Sequence, residues 1–484
     1  MKRRDFLANA IVLGTGARLG AQPAAFDLVI ARGRVIDPST RLDAIADVGI
    51  RAGRVAAVSR TPLRAARTID ARGLVVAPGF IDLHAHGQDL ENNRAQAMDG
   101  VTTALELETG PADIPAWYAA REGQRLLNYG ACVGHIAVRN LVMSGRPTTG
   151  FNQQLDLEAA KRPPNERQQQ EIVARVAQGL RDGALSVGFG VQYVPGTSRL
   201  ELLALFRAAA EAGAMCGVHQ RYAGTVEPDG LAGVEELIAA AAATGAHVHI
   251  EHITSNTARL VREALRLVEG ARARGVRVTC DTHPYTAAMT RIETAVFDPG
   301  WQERFEISHG DLEWAETGER LTEATFARYR ATGGSVVIHM MREEDVTAAV
   351  AHPLTAIISD GELTNGRGHP RSSGTFCRVL GRYARERQAL TLPEAIRKMT
   401  LHPAQILEGR VRAMRRKGRL VPGADADIVV FDAATVIDRA DYTHPAAPSV
   451  GMRHVLVHGT SVVRDGALVA DARPGRAVRV GLGA

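Results

Sequence analysis

The sequence predicts an α/β protein, a (β/α)8 barrel of the TIM type with a small accessory β-sheet domain built from both chain ends. Three observations predict it. Across residues 76–410, apolar runs of strand length alternate with Ala/Leu/Arg-rich stretches of helical period, the order that parallel strands buried on both faces require. The ends, 25–75 and 411–484, share short alternating strands punctuated by glycine, the pattern of an antiparallel sheet. Imidazoles and carboxylates also recur at the C-terminal ends of the central runs, where a barrel builds its site.

The chain opens with Lys2-Arg3-Arg4-Asp5-Phe6-Leu7, then small and apolar residues to Gly20 and Ala21-Gln22-Pro23. Residues 1–24 read as a twin-arginine export signal, which places the mature protein in the periplasm; the run is too short and too rich in Gly and Ala to span a membrane. Alternating strands follow at 26–30, 33–37, 47–50 and 53–58, and like patterns return at 418–420, 426–432 and 454–459, so one accessory sheet is completed by both ends. Eight central strands are expected at 76–84, 101–108, 132–138, 185–190, 215–219, 247–252, 277–283 and 355–360. Helices are expected at 166–181, 199–212, 231–244, 258–274 and 392–399. Residues 286–334 break this rhythm with charges, glycines, Trp301 and Trp314, which suggests a lid or subdomain over the barrel mouth.

Composition narrows the function. Among 484 residues, 58 basic and 53 acidic side chains are interspersed to a formal charge of +5 and only 5% are aromatic, so nucleic-acid binding has little support. Cys132, Cys216, Cys280 and Cys377 lack C-x-x-C spacing, and the first three lie in apolar runs as small hydrophobes.

The strand ends carry the chemistry. His84 and His86 end the first strand two residues apart, so their imidazoles share a face and form half of a metal site. Glu106 and Glu108 end the second, His219 the fifth, His252 the sixth, Asp281 and His283 the seventh, and Asp360 the eighth. Gathering these groups at one mouth without compensation is costly, and one or two divalent cations supply it. His135 and His339 are isolated and are read as hydrogen-bonded structural residues.

The run Pro78–His86, the single histidines at 219 and 252, Ser359-Asp360-Gly361 and the two-ended sheet resemble the amidohydrolase superfamily of metal-dependent hydrolases. The resemblance is closer to its D-aminoacylase (N-acyl-D-amino-acid deacylase) branch. It rests on Asp281-Thr282-His283-Pro284-Tyr285-Thr286, on His369-Pro370-Arg371-Ser372-Ser373-Gly374-Thr375-Phe376, on Ala395-Ile396-Arg397-Lys398-Met399-Thr400, and on the run Gly423–Asp432. It implies one or two zinc ions per chain, a tight site with His219 and His252, a weaker one with His84 and His86, and Asp360 as ligand and catalytic acid–base. The family's third tight ligand is usually a cysteine on the second strand, and its relatives bridge their metals with a carboxylated lysine on the fourth; Ala104–Gly110 has no cysteine and Leu185–Gly190 no lysine. A carboxylate is left, and Glu108, nearer the mouth, is preferred to Glu106.

The implied reaction is hydrolysis of the amide of a small N-acyl-D-amino acid, with His283 or Tyr285 stabilising the oxyanion. Thr254 stands where the family commonly has a lysine, so carboxylate binding falls to Arg371, with Arg139, Arg221 and Tyr193 as further candidates. The glutamate-rich second strand also resembles the N-acyl-D-glutamate deacylases, which points to acidic side chains. A cyclic amidase of the hydantoinase or dihydroorotase type is the alternative, with a silent binding protein on the same fold behind it. A homo-oligomer is compatible with either.

Overall fold

The computed structural model describes residues 26–148 and 156–481; the export-signal reading at 1–24 lies outside them. Both chain ends enter one nine-stranded sheet. Its joint is Val75–Pro78, which pairs in parallel with Phe26–Asp37 and antiparallel with Ile428–Phe431. Alternation along Ile428–Phe431 explains the architecture: Ile428 and Val430 pack with Ile30, Val48 and Val76 inside the accessory domain, while Val429 and Phe431 turn toward Phe80 and Val101 of the barrel.

The expected strand 76–84 is therefore two strands. Pro78-Gly79 ends the accessory strand, and Phe80–Asp82 begins the barrel. Gly79 donates to Asp427 O at 2.8 Å, and a Cβ there would meet the Thr102 side chain at 2.3 Å, so only glycine lets the chain change sheets so close to its neighbour.

Parallel barrel strands follow at Val101–Glu106, Asn128–Ala131 with Val133–Gly134, Ser186–Gly190, Met215–His219, His247–Ile250, Val278–Thr282 and Thr355–Ile357. They form a three-stranded and a six-stranded ladder. One seam is crossed by Leu185 N to Ala131 O (3.0 Å), the other by Asp360 N to His84 O (2.8 Å). Two site residues thus join the last strand to the first.

The expected strand 132–138 is a correction. Its strand stops at Gly134 and a helix runs His135–Ser144, because a continuously buried apolar run shows neither period clearly. Helices Glu166–Arg181, Arg199–Glu211, Gly230–Thr244, Val261–Ala273 and Leu392–Met399 cover the barrel, four of them begun by capping side chains of Asn165, Ser198, Asp229 and Thr391. The segment expected as a lid folds as an antiparallel sheet of Ala287–Arg291, Leu312–Trp314 and Ser335–His339, running past residue 334. Trp314 stacks on Tyr329 at 4.0 Å and Trp301 on Phe326 at 5.2 Å, and their cluster reaches Tyr193 and Ala223 on the barrel loops. The four cysteines are buried and unpaired with one another, and among the described residues no helix is long and apolar enough to cross a membrane.

Candidate metal centre

Glu108 stands at the centre of the barrel mouth with one carboxylate oxygen toward each of two groups. Its Oε2 lies 2.7 Å from His84 Nε2 and 3.2 Å from His86 Nε2. Asp360 Oδ1 completes that group at 3.5 and 3.2 Å from the same nitrogens. The other oxygen, Oε1, lies 3.1 Å from His219 Nδ1 and 3.9 Å from His252 Nε2. All six residues are buried. His252 and Asp360 hold left-handed backbones (φ 31° and 52°), a strain of about 1–3 kcal/mol each that turns their side chains into the mouth where their strands end.

A second layer orients the first. His86 Nδ1 meets Glu106 Oε2 at 2.8 Å and His84 Nδ1 meets Glu251 Oε2 at 2.9 Å, so each imidazole presents Nε2 inward. Glu106 also accepts from the Glu108 and Thr109 amides at 3.0 and 2.9 Å. Asp281 accepts from His252 N and pairs with His249 Nε2 at 2.8 Å. Gln192 Oε1 sits 2.8 Å from His219 Nε2, leaving Nδ1 with a lone pair that faces Glu108 Oε1.

Those two buried atoms have no hydrogen-bond partner, and lone pairs 3.1 Å apart call for positive charge between them. The first group says the same: burial pulls His84 and His86 down, but the surrounding carboxylates outweigh it and hold both imidazoles well above their ordinary range. Burial likewise raises Asp360, yet Arg371 and the histidines hold it well below the usual carboxylate range. A field that favours protons here favours a divalent cation equally, and the imidazole and carboxylate donors suit zinc.

The expected substrate residues divide. Arg371 reaches the centre, with Nη1 2.9 Å from Asp360 Oδ2 and Nε buried without a partner. His283 is bonded through Nε2 to Ser255 Oγ at 3.0 Å; burial and Arg371 keep it neutral, and its Nδ1 is buried without a partner. Tyr193 packs its ring 4.6 Å from that of His219 and lines the cavity beside the centre.

Three candidates are corrected. Arg139 grips Glu201, at 2.6 Å to Oε1, and donates to the Ala159 and Arg162 carbonyls, because the helix beginning at His135 turns it away from the mouth. Arg221 is paired with Glu236 at 3.0 Å and donates to Thr197 O at 2.7 Å. Tyr285 points its hydroxyl at Pro370 O (3.4 Å) and Asp438 Oδ2 (3.5 Å), away from the reacting end. His135 and His339 pair with Glu201 (2.9 Å) and Glu313 (3.1 Å). Gln192, Glu251 and Ser255 were not expected. Of these only Glu251, directly before His252, carried a sequence signal.

The Amidohydrolase family model matches residues 67–191 and 262–463. An N-acyl-D-glutamate deacylase of Alcaligenes xylosoxydans xylosoxydans is 34% identical over 94% of this chain and 96% of that protein. A D-aminoacylase from the same organism is 32% identical over 92% of this chain and 96% of its own length. The crystal structure of N-acyl-D-glutamate deacylase from Bordetella bronchiseptica, complexed with zinc and a phosphonate inhibitor mimicking the tetrahedral intermediate, superposes with a TM-score of 0.80 at 31% identity, covering 95% of this chain and 100% of that one.

Proposed function

Because the chain belongs to the amidohydrolase family, we propose that its barrel mouth holds zinc and hydrolyses the linear amide of N-acyl-D-amino acids, releasing a carboxylate and a free D-amino acid. The observation that carries this reading is the Glu108 carboxylate, shared between the His84/His86/Asp360 group and the His219/His252 group. These six residues would hold the metal. Zinc, when bound, lowers the pKa of a water and polarises the amide carbonyl.

The chain's own groups do the rest. Asp360 Oδ1 faces the cluster and takes the attacking water's proton, then returns it to the departing amine nitrogen. Arg371 pins the other oxygen, Oδ2, which keeps the carboxylate ionised and aimed. The Nδ1–H of neutral His283 is the donor for the developing oxyanion, with Nε2 accepting from Ser255. Arg371 also serves the substrate's α-carboxylate, which fixes one face of the α-carbon.

Amine release from N-acetyl-D- and N-acetyl-L-amino acids by the zinc-loaded full chain, with hydantoins as ring-opening controls, tests the proposal. Turnover of D substrates alone is expected. Hydantoin opening with no linear hydrolysis would instead make it a cyclic amidase. The Arg3-Arg4 leader supports export to the periplasm, which fractionation of an expressing bacterium tests.

A further inference from the structure

A cavity of about 670 Å³ reaches the metal centre from the side of the loop that follows Val101–Glu106. It runs from exposed Asp113 and Arg175 at its rim to buried His86 and Glu106 at its inner end. Pro111, Ala112, Trp117 and Leu141 give it apolar sides, and its volume suits a small organic molecule.

Arg121 stands half-buried in this wall, with its guanidinium carbon 3.9 Å from the centre of the Trp117 ring. Its Nη1 donates to Trp117 O at 2.9 Å, and its Nε is buried without a partner. Among the described residues no carboxylate pairs with it, because those of the cavity are engaged elsewhere. Glu106 holds His86 at 2.8 Å, Asp113 accepts from Ala116 N at 3.0 Å, and Asp182 accepts from Gln178 at 2.7 Å. Arg175, at the rim, pairs with Glu171 at 2.8 Å. Burial and the neighbouring charge of Arg125 push Arg121 down to about 10. A cation desolvated without a counter-charge is destabilised, and a bound anion offsets that cost.

The scissile amide has two halves that must leave the centre on different sides. On the deacylase reading above, the amino-acid half lies with Asp360, which protonates its nitrogen, and with Arg371, which takes its α-carboxylate. The cavity of about 40 Å³ that contains Asp360 in its wall is on that side, whereas the larger cavity meets the centre at His86. Resting on that reading, we infer that the acyl half lies in the larger cavity and that Arg121 binds a carboxylate at its far end. The substrates favoured are then D-amino acids whose acyl group derives from a dicarboxylic acid, such as succinyl or glutaryl. Trp117 and Ala112 flank the methylenes, and the planar guanidinium matches the terminal carboxylate.

The test compares kcat/KM of the zinc-loaded full chain for the N-succinyl and N-isocaproyl derivatives of whichever D-amino acid is turned over best as its N-acetyl compound. These acyl groups share a shape and differ in the terminal charge. The succinyl compound should lead by about tenfold or more, one charged hydrogen bond's worth, and Arg121→Gln should erase the lead. Arg121→Lys, which keeps the charge, should retain part of it, with circular dichroism reporting the fold of both variants. No succinyl lead, or a lead that survives Arg121→Gln, overturns the inference. Calorimetry with succinate alone separates the sources of the carboxylate: Arg121-dependent binding of the free acid without a succinyl lead makes this a site for a free anion and overturns the acyl assignment. If the wild type hydrolyses no D-amide, binding of the same compounds to Asp360→Asn decides. Tighter succinyl binding that Arg121→Gln removes leaves the subsite standing while the deacylase reading fails; equal binding overturns the subsite.

Discussion

Arg371 Nη1 lies 2.9 Å from Asp360 Oδ2, while the other oxygen of Asp360 faces His86 Nε2 at 3.2 Å. The carboxylate is thus held between a permanent cation and the imidazoles of the candidate metal centre. In the proposed mechanism, Oδ2 is the anchored oxygen and Oδ1 the one that faces the metal centre and handles the proton.

Asp360→Asn is expected to keep the fold and lower kcat by about 10²–10⁴-fold, the range of a positioned acid–base. Steady-state kinetics with circular dichroism on the same preparation check this. A kcat near wild type would move the proton transfer to another group, with His283 the next to substitute.

Arg371→Lys should lose about ten- to a hundred-fold in kcat/KM, because an ammonium cannot satisfy Asp360 and a planar substrate carboxylate together. The split between parameters identifies the lost contact. A raised KM reports α-carboxylate binding, and a lowered kcat reports a loosened Asp360.

Glu108→Ala should lose tightly held zinc, since one residue serves both groups of ligands. Glu106→Ala should keep a weaker site, with affinity lower by about 10–100-fold, the usual cost of removing a partner that orients a ligand. Metal-to-protein ratios after dialysis decide, and the reverse order would contradict the assignment.

Stripping the metal with a chelator should abolish hydrolysis and lower the melting temperature, with zinc restoring both. A ligand present at 1,000 times its Kd stabilises by about 4 kcal/mol. Full activity in exhaustively metal-free protein would refute the proposed chemistry.

Arg139→Ala should destabilise by about 3–5 kcal/mol, because it strands Glu201 in the interior with His135 as its remaining partner. Substrate KM should be unchanged in the folded protein. Denaturant unfolding and kinetics on one sample distinguish this from the substrate-binding role that residue type alone suggested.

The sequence by itself determined the order of strands and helices, the two-ended sheet, and which residue types crowd the barrel mouth, because periodicity and chain order are local properties. His84, His86, His219, His252 and Asp360 were legible since each follows an apolar run closely enough that any parallel barrel brings them together. The tertiary structure decided what each group faces. Glu106 and Glu108 share a face in sequence, yet Glu106 is the last residue of its strand and turns to His86, while Glu108 lies past the strand's end and reaches both groups of histidines. Arg139 and Arg371 are equally cationic in sequence. A helix beginning at His135 delivers one to Glu201, 62 residues away, and the first turn of the helix Arg371–Arg378 delivers the other to Asp360. Such partners are set by packing between elements remote in the chain, where the cost of burying an unpaired charge selects the contact, and no local pattern carries that information.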